Sequence, residues 1–298
     1  MKRNFIILCV LTCFCAFSTG AYAQQAEEPV VSTNVPPDFA IDAEMGFVGW
    51  GDVNGATCDV AVGKLDLDAQ VPFVDFGYSL RHFEFVNANT FFGGAGHDPF
   101  GDLHQLYLNL NDTRIVYEEQ FGYHVRAEIQ SNFEKQMSNS FAYEAEAGLV
   151  YEYDENLMII AGAMYHWNET NYYVMPTGSI RYRAFADEGL SIIIGLPETS
   201  IAYQLENGLG AKLSWAYEKT AYRLGNHNDF NPRGFIEIWD QILALEGSWK
   251  VNDNVKLVGG VTYNFKRDLK SFTEGGNRNF TVDVNQAFGC TGSVVVNF

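Results

Sequence analysis

The chain has 298 residues, a formal net charge of −18, 47% hydrophobic residues and 15% aromatic residues. This acidic balance argues against nucleic-acid binding, because no basic surface is available to neutralise phosphates. The hydrophobic content argues against a disordered chain, and beyond residue 23 no stretch approaches the roughly 20 apolar residues of a membrane-spanning helix.

The first 23 residues predict a cleaved signal peptide. Lys2 and Arg3 supply a positive start, residues 5–17 form an apolar run, and residues 21–23 read Ala-Tyr-Ala, so we expect cleavage before Gln24. The alternative is an uncleaved anchor, for which the apolar run is short. Cleavage would remove both basic residues and make the net charge more negative by two, to −20.

Residues 24–38 predict a short flexible segment, because they carry three prolines and no periodicity. The predicted mature chain, from residue 24 onward, keeps two cysteines, Cys58 and Cys290. In an exported protein these two can form one disulfide bond. The alternative is that they are two isolated small apolar residues on strands.

From residue 39 onward, most segments alternate between apolar and polar residues. The segment from Tyr123 is typical: Val125, Ala127 and Ile129 share its apolar face, and Arg126 and Glu128 lie on the other. The segments that begin at Phe141, Leu209 and Val255 alternate in the same way. This period of two predicts two-faced β-strands. At about 12 to 18 residues they exceed the 3–10 residues usual in soluble proteins and suit tilted strands that cross a membrane.

Turn signals separate these strands. Residues 154–156, 206–208 and 252–254 predict tight hairpin turns, whereas 88–101, 225–234 and 271–278 predict longer polar loops. The pattern predicts an all-β fold over residues 39–298, a closed antiparallel transmembrane β-barrel of about 12 strands within a range of about 10 to 14. Pro176 and Pro197 make the strand count uncertain upstream of residue 200, since proline cannot donate to a ladder.

Aromatic residues gather toward the ends of the predicted strands. Examples are Tyr151, Tyr153, Tyr165, Trp167, Trp215, Tyr217 and Trp249. Amphipathic rings favour the boundary between hydrocarbon and water, so this distribution favours the aromatic girdles of an outer-membrane barrel. For any single residue, ordinary sheet packing explains the position equally well.

The last residues predict an assembly signal. Val294, Val296 and Phe298 share one face and continue a series that begins at Phe280, Val282, Val284 and Phe288. A final strand that ends in Phe resembles the C-terminal signature that the barrel-assembly machinery reads in outer-membrane barrels. Such a strand can be taken up by pairing with a free sheet edge.

The C-terminal half carries a further resemblance. Its segments are Gly195-Leu196-Pro197, Ser200-Ile201-Ala202-Tyr203, Ala221-Tyr222-Arg223-Leu224, Gly259-Gly260-Val261-Thr262-Tyr263 and Arg267-Asp268-Leu269. Together they resemble a family of uncharacterised bacterial outer-membrane β-barrels, classified as a domain of unknown function. The resemblance implies the fold and implies no substrate.

The polar faces of the strands predict the lumen of the barrel. The candidate lumen residues are Arg126, Glu128, Glu144, Glu146, Glu152, Lys212, Glu218, Asp240, Glu246, Lys256 and Asp283. Because both signs of charge are present, these side chains can fill a narrow lumen as a plug of ion pairs. They can equally line a small pore that prefers cations, since acids outnumber bases. The plug is the slightly favoured interpretation.

The sequence predicts neither an enzyme nor a metal site. A serine nucleophile needs a base within hydrogen-bond reach, and none of the six histidines has a serine one or two positions away: His82, His97, His104, His124, His166 and His227. His97, Asp98, Asp102 and His104 offer a surface cation site, but a polar loop explains them better. We therefore expect no catalytic residue, no metal and no cofactor.

The predicted function is that of a Gram-negative outer-membrane barrel, exported with a cleaved signal peptide, that is either plugged or a small passive channel. Its expected partners are outer-membrane lipid, the barrel-assembly machinery and, if a pore is open, small ions or solutes. Two alternatives come from other classes of protein. One is a secreted or periplasmic soluble β-barrel that binds a ligand, and the other is an outer-membrane lipid hydrolase.

Overall fold

The structure, a computed structural model, describes residues 39–88, 98–117, 120–183 and 188–298. The predicted signal peptide, the predicted flexible segment 24–38 and His97 lie outside the described residues. The strands are β1 (Ala40–Asp52), β2 (Asp59–Val71), β3 (Val74–Val86), β4 (Asp102–Tyr117), β5 (Phe121–Phe133), β6 (Phe141–Asp154), β7 (Leu157–Asn168), β8 (Tyr172–Tyr182), β9 (Gly189–Leu196), β10 (Glu198–Gln204), β11 (Leu209–Arg223), β12 (Phe235–Lys250), β13 (Val255–Phe272), β14 (Arg278–Val284) and β15 (Ala287–Asn297). No helix among these residues is long and apolar enough to cross a membrane.

The strands close into one antiparallel barrel. Each strand from β1 to β13 pairs with the next one in the chain, and β15 pairs with both β13 and β1 to close the ring. The short strand β14 pairs with the upper part of β13, so β14 and β15 together occupy one position in the wall. The barrel therefore has 14 strands.

The prediction of about 12 strands was wrong, although 14 lies at the limit of the predicted range. The hairpin of β9 and β10 explains much of the error. Only Pro197 separates these two short strands, and no Gly or Asn at that position signals a turn.

The two ends of the barrel differ. Both termini of the described barrel lie at one end, where the rings of Phe39 and Phe298 are 5.5 Å apart. The three predicted tight turns, 154–156, 206–208 and 252–254, are at this end, which we call the turn end. The connections 53–58, 134–140, 169–171, 224–234 and 273–277 lie at the other end, the loop end, together with residues 87–88 and 98–101 between β3 and β4.

The barrel has an apolar outside and a polar inside. On β5, Val125 and Ile129 are 42% and 48% exposed, whereas Glu128 between them in the alternation is 4% exposed. Leu149 on β6 and Phe288 on β15 are 74% and 75% exposed. Soluble proteins show the reverse distribution, so this surface is suited to hydrocarbon.

Two rings of exposed aromatic side chains border the apolar surface. The ring at the turn end contains Phe73, Tyr117, Phe121, Tyr153, Tyr182, Tyr203, Trp249 and Phe298. The ring nearer the loop end contains Trp50, Phe141, Tyr143, Tyr165, Tyr172 and Phe288. This arrangement matches the predicted girdles of a transmembrane barrel.

The loop end encloses a hydrophobic core instead of an open mouth. Its fully buried members include Phe83, Phe100, Leu103, Tyr222 and Ile238, which come from β3, β4, β11, β12 and the connection before β4. The rings of Phe83 and Phe85 each contact the ring of Phe100 edge-on, with centroids 5.1 Å and 5.2 Å apart. At this end β11 meets β5, since Glu134 N–H donates to the carbonyl of Arg223.

A register change reverses the facing of the last part of β13 and of its partner β14. Opposite Gln241 and Ile242, strand β13 carries one extra residue, Phe265, so side chains beyond it change sides. Val282 and Val284 consequently point into the core, and Asp283 is exposed on the outer face.

Two predictions about β14 were therefore wrong. Asp283 does not face the lumen. The series Phe280, Val282, Val284 and Phe288 does not share one face either, because the break between β14 and β15 leaves Phe288 75% exposed on the outside.

The two cysteines are not joined. Cys58 is buried in the loop-end core, whereas Cys290 is exposed on β15 opposite Phe47 and Val261. The disulfide considered from the sequence is absent, and the alternative of two separate small residues describes the structure.

Candidate functional site: the barrel lumen

A buried ion network crosses one half of the lumen. Arg267 donates to Asp240 at 2.6 Å and 3.1 Å, and Asn264 donates to the same carboxylate at 2.9 Å. Arg81, from β3, donates to Glu218 at 2.7 Å and to Asp240 at 3.5 Å. The four charged side chains are each at most 9% exposed. The network therefore joins β3 to β11, β12 and β13 across the barrel.

This network leaves little space. A cavity of about 40 Å³ lies between Glu44, Lys64, Arg81, Glu218 and their neighbours. It has room for only a few water molecules. Lys64 and Asp66 form a further ion pair at 3.3 Å beside it.

A second network lines the inner faces of β4 and β5. Arg126 donates to Glu128 and, at 3.1 Å, to Asn109. Gln130 also donates to Glu128 and accepts a hydrogen bond from Gln105 at 3.0 Å. Polar side chains from these two strands therefore satisfy one another, as a buried polar group requires.

The inner faces of β5, β6 and β7 carry acid–histidine contacts. Nδ1 of His166 and Oε1 of Glu144 are 2.8 Å apart, and the Nε2 atom of His124 lies 3.9 Å from Oε2 of Glu146. These four side chains are 6% to 16% exposed. His124 and Glu146 are thus slightly more exposed than the Arg81 network.

The structure places the other predicted lumen residues as follows. Glu246 is buried, and Lys212 forms an ion pair with Glu198 at 2.8 Å. Glu152 is half-buried near the turn end, and Lys256 is exposed at the turn-end rim. They do not converge on one site.

Several lumen residues were missed by the sequence analysis. Three of them, Arg81, Lys64 and Glu44, belong to strands whose facing was not assigned. Arg267 was missed for another reason: it lies beyond the extra residue Phe265, where simple alternation assigns the wrong side of the strand. The alternation of β3 places Arg81 and Phe83 on one face. This pattern was the signal from which the inward facing of Arg81 could have been predicted.

The sequence analysis also missed one contact between a hydroxyl group and a histidine. Oγ1 of Thr113 lies 2.8 Å from Nδ1 of His124, because the two residues are directly opposite on β4 and β5. A search for serine near histidine along the chain cannot find a partner on a neighbouring strand. Among the described residues, no group of three or more His, Cys, Asp or Glu side chains could hold a metal ion.

Comparison with known proteins gives low similarity. No family model and no curated protein matches the chain, so the resemblance to an uncharacterised barrel family stays a prediction. The solved KdgM porin is 9% identical with a TM-score of 0.36, over 87% of this chain and 99% of that chain. The NanC porin is 11% identical with a TM-score of 0.37, over 87% and 100%.

The Pseudomonas putida toluene transporter TodX is 14% identical to this chain with a TM-score of 0.32, over 95% of this chain and 96% of that chain. These values are too low to carry a functional argument. The closed barrel follows from the strand pairing of the chain itself.

Proposed function

We propose that this chain is a bacterial outer-membrane β-barrel whose lumen is closed along its axis. The observation that carries the proposal is the core at the loop end, where Phe83, Phe100, Leu103, Tyr222 and Ile238 fill the part of the interior enclosed by β1–β5 and β11–β14. Water and ions cross such a dry apolar layer poorly, because an ion loses its hydration there without replacement. The Arg81–Asp240–Arg267 network beneath it supports the same conclusion.

The membrane location is supported by the outer surface. The apolar face between the two aromatic rings would be costly in water, which disfavours the alternative of a soluble barrel. Closure of the ring satisfies most of the backbone of the wall within the barrel, as a membrane requires. Export to an outer membrane further depends on the predicted signal peptide.

Fractionation of the bacterial envelope tests the location. We expect the full chain in the outer-membrane fraction, extractable only with detergent, with a gel mobility that changes on heating because a folded barrel resists the detergent at room temperature. Release of the whole protein by osmotic shock, with no change on heating, would contradict the proposal and favour a soluble barrel.

Uptake of sugar by liposomes tests the closure. Proteoliposomes with heat-modifiable protein should swell no faster in arabinose than protein-free liposomes, whereas those with a general porin should swell. Swelling at the rate of the porin control would show that the lumen is open and would favour the channel interpretation.

A cation-preferring channel is the second candidate. The acidic lumen residues favour it, but the structure pairs Glu218, Glu128 and Asp240 with arginines. A paired carboxylate attracts a passing cation less than a lone one, so this observation favours the closed barrel.

A further inference from the structure

Two methionines lie side by side on the lumen face of β7 and β8, next to a glutamate of β6. Met164 and Met175 are directly opposite each other in the pairing of β7 and β8, and Glu146 is directly opposite Met164 on its other side. All three side chains occupy inward-facing positions and are partly accessible. Directly opposite residues have Cβ atoms about 4.5–5.5 Å apart, so these three flexible side chains can converge on one point above β7.

An imidazole nitrogen faces the same carboxylate from the neighbouring strand β5. The Nε2 atom of His124 lies 3.9 Å from Oε2 of Glu146, which is too long for a hydrogen bond. Within the described residues, the hydrogen bond of this imidazole is made by Nδ1, which lies 2.8 Å from the hydroxyl oxygen of Thr113. When Nδ1–H donates to that hydroxyl, Nε2 keeps a free lone pair on the side of Glu146.

The separation of His124 and Glu146 suits two ligands of one metal ion. Nitrogen and oxygen ligands lie about 2.0–2.2 Å from an ion such as zinc, which places two ligands of the same ion roughly 3–4 Å apart. The observed 3.9 Å falls in this range. In metal sites the second ring nitrogen of a ligating histidine is commonly held by a hydrogen bond, as Thr113 holds Nδ1 of His124.

The types of donor atom indicate which metal the site selects. Two of the four donors are thioether sulfurs, which select soft ions such as Cu(I), and imidazole also suits copper. Calcium and magnesium take oxygen ligands instead. The set does not depend on three His, Cys, Asp or Glu side chains, a grouping that the described part of the chain does not offer.

We propose that His124, Glu146, Met164 and Met175 form a binding site for a monovalent soft metal ion, Cu(I), for which Ag(I) is a chemical analogue. The carboxylate of Glu146 balances the single positive charge of the ion. His124 and Glu146 are 12% and 16% exposed, so an ion in the lumen has access to them. The site requires only the folded barrel, and it therefore goes beyond the closed axis and does not depend on it.

Binding of Ag(I) to the folded protein in detergent tests the site. Thiolates bind soft metals more strongly than thioethers do, so the protein carries Cys58→Ala and Cys290→Ala. Its mass should show that the predicted signal peptide, which contains the other cysteines, is absent. Silver nitrate is titrated in a chloride-free buffer and followed by calorimetry. We expect one Ag(I) ion per chain and no displacement by a hundredfold excess of Ca(II).

Leucine variants separate metal binding from space filling. Methionine is also a flexible residue that fills gaps, and leucine occupies nearly the same volume without a sulfur donor. Met164→Leu combined with Met175→Leu should weaken Ag(I) binding at least tenfold. Met45→Leu is the matched control, because Met45 is 60% exposed on the outer face of β1, and it should leave binding unchanged. A heat-modifiable gel band shows that each variant is folded.

X-ray absorption at the copper edge supplies a second measurement. The protein loaded with Cu(I) under anaerobic conditions should show sulfur neighbours of the metal, and these should disappear in the double leucine variant. Failure to bind Ag(I) at micromolar concentration, or equal affinity in the double leucine variant, would overturn the metal site. Displacement of Ag(I) by Ca(II) would overturn it too, since a site with thioether donors disfavours a hard ion. Neither result bears on the closed axis, which ion conductance tests separately.

Discussion

The thiol of Cys58 combines burial with nearby negative charge. Desolvation, with smaller contributions from Asp59 and Asp98, raises the pKa of Cys58 to about 11. At pH 9 such a thiol is only about 1% ionised, and the thiolate is the reactive form. Alkylation of Cys58 by iodoacetamide should therefore be tens of times slower in the folded barrel than in urea, as measured by mass spectrometry.

The variant Cys290→Ser isolates the signal of Cys58 in this experiment. Equal alkylation rates in the folded and unfolded forms would show that the loop-end core does not cover Cys58. Such a result would also weaken the assignment of that core as a barrier across the lumen.

Leu213 tests which face of β11 meets lipid. Its side chain is 43% exposed on the outer face, and Ser214 is buried on the inner face. Leu213→Arg should lower the free energy of unfolding by about 2–4 kcal/mol, because the position is near the middle of the apolar band. Leu213→Met is the control and should change it by less than about 1.5 kcal/mol. Equal stabilities in reversible urea titrations in liposomes would show that the assigned facing is wrong.

Among the elements, β12 and β13 are linked inside the lumen by one buried carboxylate, in addition to their backbone ladder. Asp240 accepts hydrogen bonds from Arg267 and Asn264 and is 1% exposed. Asp240→Asn removes the charge that compensates buried Arg267, so we expect a loss of about 3–5 kcal/mol. In the control Asp253→Asn, the ion pair with Lys250 is exposed, and the change should stay below about 1 kcal/mol. If Asp240→Asn and Asp253→Asn lowered the free energy of unfolding equally in urea titrations, the result would contradict the burial of the Asp240 network.

The last strand carries the predicted assembly signal. Phe298 is 64% exposed beside the final residues of β15, which pair with β1 and β13. Deletion of Phe298 should reduce the amount of protein in the outer membrane, because the assembly machinery would no longer recognise the strand. Refolding in detergent should remain close to normal, since Phe298 contributes a single backbone hydrogen bond, to the carbonyl of Phe39, beyond the end of β15. The control Phe288→Ala removes another outward ring of β15. Normal outer-membrane levels of the deletion variant in a strain without periplasmic proteases would contradict the prediction.

The elements also show what the sequence could and could not predict. Alternation predicts the facing of β5, β6 and β11, because one face of each strand meets hydrocarbon. It fails for Arg267 and Asp283, since the extra residue Phe265 shifts the period by one. It cannot pair Arg81 with Glu218 across 137 residues of sequence, because that contact depends on which strands face each other once the ring is closed.

At the scale of the whole molecule, the barrel has two unlike halves. At the loop end, β1–β5 and β11–β14 enclose the apolar core, and β11 meets β5 through Arg223 and Glu134. The strands β6–β10 surround the more open half, where Glu144 and His166 lie. This asymmetry was not predictable from the near-uniform alternation of the strands. It depends on the contact between β11 and β5, which are far apart in the sequence.

Ion conductance across a planar bilayer is the most direct test of the closed axis. We expect wild-type protein, inserted and verified as heat-modifiable, to show no stable conductance step in 1 M KCl. The combined variant Phe83→Ala, Phe85→Ala and Phe100→Ala removes three packed rings of the core and should produce steps, provided that its gel band shows a folded barrel. Stable conductance steps from the wild-type protein would contradict the closed barrel. A reversal potential that shows cation selectivity under a salt gradient would then identify a channel.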